Sequence, residues 1–386
     1  MNAAAQPLYD FAPLARMMLL GVVIALGPLT WVWLRNRHAA PAQRLKVLTL
    51  ITLFLTFDLV LFGAFTRLTD SGLGCPDWPG CYGHMSPVGA TASIAAAQEA
   101  MPTGPVTHSK AWVEMVHRYL ATAVGVLISV IALVSWLERK RLQVWHGWPL
   151  ITLFWVCLQG AFGALTVTMK LFPAIVTLHL LGGMALLSLL RVQAVGYALA
   201  EPGGLQRTTI SAALRRLLWA VFVLLWVQIA LGGWVSTNYA VLACSEFPTC
   251  QGSWWPSMDF QHGFSLWRGL GVTPAGDAIP FAALTAIHYV HRLSAYAVFV
   301  GLGLAAWSLW RAAHLRRVAQ TLALLALWQL ASGLANVVLD WPMLAAIAHT
   351  GGAAALVIAM TGVLIATQGA TQSSGAPAYN LSRATR

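Results

Sequence analysis

Four histidines stand in matched pairs along this chain, His117 with His179 and His291 with His349. The first of each pair lies in EMVHRYLA (114–121) or HYVHRLSA (288–295), the second in VTLHLLGGMALL (176–187) or AIAHTGGAAALV (346–357). Equivalent histidines are 174 and 170 positions apart. Each sits in a long apolar run, about six to ten residues from one end, which is roughly 9–15 Å deep at 1.5 Å per helical residue. Ionisable groups at that depth are costly and point to function. Two imidazoles at one level on different helices of a four-helix bundle are what axial ligation of a haem requires, one from each side of the porphyrin plane. A lone histidine of this kind is more often a hydrogen-bonded helix contact; two matched pairs favour ligation.

The neighbours extend the pattern. Gly182 and Gly183 follow His179, and Gly351 and Gly352 follow His349, thinning the helix face where a flat ring would approach. Arg118 and Arg292 directly follow the other two histidines, where a guanidinium can pair bidentately with carboxylates such as haem propionates. Arg67 is a further cofactor-binding candidate. Three residues before the ligand position the halves disagree: Glu114 stands in one, His288 in the other. Glu114, one turn from His117, could transfer protons or stabilise a developing positive charge in a low-dielectric site. The alternative is an ion pair with Arg118 or Arg67. His288 has a comparable alternative as a donor behind the ligand. Of the eleven histidines, six (His38, His84, His108, His146, His262 and His314) fall between the apolar runs and read as solvated or headgroup residues.

The elements that must position these groups are transmembrane helices. Apolar residues make up 58% of the 386, charged residues 9%, and mean hydropathy is +0.70, which excludes an ordinary soluble globule. Apolar runs near 14–34, 47–66, 111–136, 149–169, 173–198, 214–235, 281–310, 317–338 and 342–367 are long enough to span a bilayer, at about 20 residues each. The fold class is therefore all-α and polytopic. The net charge of +11 does not indicate a nucleic-acid partner, because it is concentrated in alternate connections. Segments 35–46, 137–148, 199–216 and 311–317 are basic, as is the tail with Arg383 and Arg386, and face the cytoplasm by the positive-inside rule. The other connections carry Asp70, Asp77, Glu246, Asp259, Asp277 and Asp340 and face outward, as does the N-terminus. The first apolar run has one preceding base, Arg16, and a basic RNR after it, the reverse of a signal peptide.

The two long outer loops repeat one another: CPDWPGCYG (75–83) and CSEFPTCQG (244–252), with cysteines displaced by 169 positions. Cys75 with Cys81 and Cys244 with Cys250 are expected as one local disulfide per loop in an oxidising compartment. Four free thiols, or one four-cysteine metal site, are the alternatives. Cys157, within a helix, reads as buried packing. With FGAFTRLTDSG (62–72) matching LGGWVSTNYAV (231–241), the chain resolves into two pseudo-symmetric four-helix bundles, 47–200 and 214–370, in parallel orientation. An extra N-terminal helix with a basic loop occupies 1–46, a cytoplasmic linker 201–213 and a tail 371–386. Each bundle is expected to carry its own core. Asp58, inside the second helix, has Val227 as its counterpart and no account from sequence.

The motifs TRLTDSGLGCPDWPGCYG, EMVHRYLA, LHLLGG, HYVHRLSA and AHTGG together resemble the haem A synthase family of bacteria and mitochondria, over about 320 residues of both halves. The resemblance implies an eight-helix core of two haem bundles, in which the C8 methyl group of haem O is oxidised to the formyl group of haem A for cytochrome c oxidase. By that likeness His117 and His179 bracket the substrate haem, and His291 and His349 hold a permanent haem b. Glu114 falls on the catalytic glutamate, and Cys75 with Cys81 on a cysteine pair to which electron supply is attributed. The extra helix departs from the pattern. Partners implied are haem O synthase, oxidase assembly factors, an electron donor or acceptor for which a quinone is a candidate, and a second copy of the chain. The implied location is the bacterial inner membrane, with the haem sites toward the periplasm. A di-haem electron-transfer protein, which would use the same four histidines without needing Glu114, and a haem transporter, which should have an exit path and tolerate loss of haem iron chemistry, are the competing classes.

Overall fold

The computed structural model describes residues 12–369, except 143 and 202; the tail arginines lie outside the described residues. Its spanning helices are α1 (Ala12–Arg35), α2 (Pro41–Leu68), α4 (His108–Leu137), α5 (Gly147–Thr168), α6 (Pro173–Ala200), α7 (Ala212–Thr237), α9 (Phe281–Trp310), α10 (Arg316–Val338) and α11 (Met343–Ala366). Among the described residues these are nine candidate membrane spans, so the chain is an all-α, multi-pass membrane protein. Short helices α3 (Thr91–Ala100) and α8 (Phe260–Gly263) sit in the two long loops. Neither has the length or hydropathy that marked the spans.

Local chemistry sets the helix ends. Proline at the first turn of α2 and α6 needs no backbone donor there. Thr107 and Ser211 cap α4 and α7 by accepting from the N–H groups of Lys110 and Leu214. At the end away from the long loops, strands β1 (Thr208–Ile210) and β2 (Thr367–Gly369) pair in parallel, in the register Thr208 to Thr367. The Arg215 guanidinium donates to the Thr367 carbonyl at 2.7 Å, and Lys46 pairs with Glu201.

Helices α2, α4, α5 and α6 form one bundle and α7, α9, α10 and α11 the other, joined through α6 with α7 and α11, and α2 with α11. The bundles do not have separate cores. The largest buried cluster takes Val124 of α4 and Leu187 of α6 together with Leu225 of α7, Val298 of α9 and Val357 of α11. Glycine makes this possible: a Cβ on Gly351 would lie 3.0 Å from Leu61, and one on Gly233 3.2 Å from Thr177. In lipid, such close approach supplies the association that hydrophobic burial cannot. Helix α1 lies outside both bundles and packs on α4 and α2. Its buried residues Met17, Gly21, Ala25 and Val32 form one stripe. Gly21 sits so close to Thr122 that a Cβ would come within 3.1 Å of the Thr122 backbone carbon.

Candidate functional site

The long loops fold as the same unit twice. Cys75 is bonded to Cys81 and Cys244 to Cys250, so neither free thiols nor a shared four-cysteine metal site is formed. Inside each loop a carboxylate accepts from the backbone just beyond the second cysteine. Asp77 takes the N–H groups of Tyr82 (2.6 Å) and Gly83 (2.8 Å), and Glu246 takes that of Gly252. Gly83 and Gly252 hold φ of +74° and +70°, which explains the glycine two residues after the second cysteine in each repeat. Non-reduced peptide mapping is expected to recover both pairs linked; quantitative alkylation of all four cysteines without reductant would contradict this.

The arginines after His117 and His291 clamp these loops. Arg118 is buried; one terminal nitrogen donates to the carbonyls of Asp77 (3.0 Å), Pro79 (3.1 Å) and Gly80 (2.5 Å), and the other pairs with Glu114. Arg292 likewise donates to the carbonyls of Glu246 (2.7 Å), Thr249 (3.1 Å) and Cys244 (2.5 Å), and its Nε to Nε2 of His288 at 3.2 Å. Both guanidinium groups are thus engaged with loop backbone rather than held free for carboxylates of a ligand. Arg67 joins the halves instead. It donates to the Ser236 carbonyl at 2.6 Å, pairs with Asp70 at 3.2 Å and lies 3.9 Å over the Tyr239 ring. Burial, and then the hydrogen bond it donates to Asp70, push the Tyr239 phenol above its usual value, so this clasp keeps its proton.

Glu114 is 5% exposed and lines the cavity beneath the loop. One carboxylate oxygen pairs with Arg118; the other accepts the Cys75 N–H at 2.8 Å, which links the carboxylate to the disulfide. The ion pair with Arg118 is therefore real, and the one with Arg67 is not formed. His288 fills the equivalent place with a neutral brace, its Nδ1–H donating to the Ala240 carbonyl at 3.1 Å while Nε2 accepts from Arg292. Position 114/288 braces the loop in both halves. What differs is the charge.

One cavity of about 1280 Å³ is lined by all four histidines, Glu114 and His288. Behind each imidazole lies a glycine of the preceding helix. A Cβ at Gly63 would be 3.1 Å from His117, at Gly163 3.5 Å from His179, at Gly232 3.0 Å from His291 and at Gly333 3.2 Å from His349. These glycines recur in register and leave the rings room to turn. The glycines after His179 and His349 have another task. The Gln159 side chain occupies the space where a Cβ of Gly182 would be, Gln329 does the same at Gly352, and Leu61 closes on Gly351. Gly182, Gly351 and Gly352 thus admit helix partners, not a ring, whereas Gly183 lines the cavity. The four imidazole donors on facing helices, each with its glycine cradle and apolar surroundings, fit a haem in each half.

The halves also differ behind the four histidines. Ser332 Oγ donates to the Trp328 carbonyl at 2.8 Å and lies 3.0 Å from Nδ1 of His349, whose N–H it can accept, leaving Nε2 free for iron. The Gln228 amide nitrogen lies 3.1 Å from Nδ1 of His291 and donates to that residue's own carbonyl, also at 3.1 Å. In the first bundle the corresponding residues are Phe162 and Leu59. There Nδ1 of His179 is buried without a partner among the described residues.

Cys157 is exposed and lines the cavity, contrary to its reading as buried packing. Helix α5 packs chiefly on α4 and α6, which leaves this side chain facing the cavity. Asp58 is exposed and makes no ion pair among the described residues. Its counterpart Val227 is also outward-facing, at 47% exposed.

A profile of the COX15-CtaA family, described as cytochrome oxidase assembly protein, matches residues 46–361. The chain belongs to this family. Relatives named Heme A synthase include those of Shewanella oneidensis, 37% identical over 320 residues (82% of this chain and 95% of the relative), and of Rhizorhabdus wittichii, 27% identical over 350 residues (84% and 95%). A third, from Halalkalibacterium halodurans, is 24% identical over 314 residues, 80% of this chain and 91% of that one. The family match begins after α1 and spans both bundles.

Proposed function

We propose that the chain oxidises haem O to haem A and that its two bundles divide the work, the first holding the substrate and the second a resident haem b. Support for the activity comes from the family and its relatives; support for the division comes from the asymmetry behind the ligands. His291 and His349 are held by polar side chains, as suits a cofactor that stays. His117 and His179 lack the equivalent groups, as suits a haem that must enter and leave.

In this reading His117 and His179 orient the substrate, and His291 and His349 would hold a haem b that would supply one-electron transfer. Turning a methyl into a formyl group adds an oxygen atom, with water as its source in this reading, and releases protons and the electrons that an external acceptor of the quinone class takes up; Glu114 is the buried carboxylate in the cavity placed to take a proton or balance positive charge. Its bond to the Cys75 N–H puts that charge directly beside the disulfide. The loop end then faces the periplasm, and the product passes to cytochrome c oxidase assembly. An electron-transfer protein would use the same histidines but not the Glu114 to His288 difference.

The deciding observation is which haem each bundle holds. His349→Ala, isolated at normal yield and monodispersity, is expected to lose the low-spin haem B spectrum while still retaining haem O or haem A. Because the bundles share a core, the comparison rests on protein that passes the size-exclusion check. An unchanged haem B content and low-spin signal in His291→Ala and His349→Ala alike would overturn the assignment.

A further inference from the structure

The wall of the cavity is built differently in its two halves, and the difference faces the helix that has no repeat counterpart. On α9, Tyr296 and Phe299 line the cavity one and two turns beyond His291. The equivalent residues of α4, after His117, are Thr122 and Gly125. The register is secure, because Val124 and Val298, which lie between them, are both buried in the common core. The first bundle has therefore lost two aromatic side chains from its wall, and a Cβ at Gly125 would meet nothing within 4 Å. The missing wall is supplied by α1, whose Leu14, Met17 and Met18 line the same cavity. Gly21 fixes α1 against Thr122, and Met17 packs into the cluster that contains Cys75, Cys81 and Met115. The result is an apolar slot on the cavity side of α4, open at Gly125 and bordered on the α1 side by Leu14 and the unbranched, polarizable Met17 and Met18.

We propose that this slot is the subsite for the long isoprenoid substituent of haem O, the group that distinguishes it from haem B. The inference rests on the first bundle being the substrate bundle. A haem B carries no such chain, so Tyr296 and Phe299 can close the second half of the cavity. A substrate with a flexible hydrocarbon arm needs the volume that Gly125 leaves open, and an apolar lid of adaptable side chains over it. This gives the extra helix a task the eight-helix pattern does not contain: it completes the pocket that selects an isoprenylated haem.

The test restores the aromatic wall. Gly125→Phe places in the first bundle the side chain that the second bundle has at 299, in space that is open. Protein purified with its resident haem B is titrated in detergent with haem O and, separately, with haem B, and binding is followed in the Soret band. The wild type is expected to prefer haem O; Gly125→Phe, and Met18→Trp from the α1 side, should each cut that preference by about tenfold or more, within the range that a few methylenes of pocket volume decide. Resident haem B content reports whether each variant is folded. A Gly125→Phe protein with full haem B and an unchanged haem O preference overturns the proposal. Failure of the underlying assignment looks different: His117→Ala would then still bind haem O, and His349→Ala would not.

Discussion

A Glu114→Gln protein is expected to assemble with both haem sites filled and to make haem A roughly 10²–10⁴ times more slowly, the usual worth of a general acid or base. The structure separates the two tasks of this side chain. As a brace, Glu114 accepts from the Cys75 N–H and from Arg118, and a glutamine oxygen can still accept. The Arg118 clamp keeps its three loop carbonyls in any case. His288 shows that a neutral group satisfies the same position in the other half. Only the negative charge is lost on substitution, and only the first half has that charge. Extracted pigment should therefore stop at haem O or its hydroxylated form while haem B is retained. Normal haem A output from a fully assembled variant would show the charge to be dispensable. Poor assembly with lost haem would make Glu114 a structural residue.

The spans, their pairing into bundles and the disulfide loops were legible because each rests on a one-dimensional signal: apolar length, positional offset, cysteine spacing. The four histidines were legible for the same reason, since a rare residue recurring in register within apolar helices stands out. Three-dimensional consequences were not. Arg118 and Arg292 look available in sequence, but their partners are backbone carbonyls some 40 residues away, which carry no side-chain signature. The glycines were noticed at the wrong places. Gly182 and Gly352 sit beside the ligands in sequence and serve Gln159 and Gln329, whereas Gly63, Gly163, Gly232 and Gly333 sit on other helices and face the rings. A search for glycines recurring at the repeat offset would have found them. The shared core escaped because the apolar residues of membrane helices do not reveal whether they face lipid or protein. The role of α1 needed the contrast of Thr122 and Gly125 with Tyr296 and Phe299, which is visible in the aligned halves but acquires meaning only when Met17 and Met18 appear opposite.

Arg118→Met is expected to cost about 3–5 kcal/mol of stability, read as a fall in the detergent melting temperature, because removing one partner of a buried ion pair leaves the other charge uncompensated. Arg118 and Glu114 side chains are only 7% and 6% exposed, and the guanidinium also satisfies three loop carbonyls. The repeat supplies an internal control. Arg292→Met likewise strips three carbonyls of their donor, but the partner it leaves behind is the neutral His288, so the loss should be limited to unmade hydrogen bonds, about 1–3 kcal/mol. Removing the stranded charge should recover part of the first loss: Arg118→Met combined with Glu114→Gln is expected to melt above Arg118→Met alone, with a coupling of about 0.5–3 kcal/mol. The same ordering should appear in the disulfides, since a loosened first loop exposes Cys75 and Cys81 to reductant before Cys244 and Cys250. Equal melting losses for Arg118→Met and Arg292→Met, with no recovery in the double variant, would mean that the loop carbonyls and not the buried carboxylate set the cost, and Glu114 would then carry no unbalanced charge for the arginine to hold.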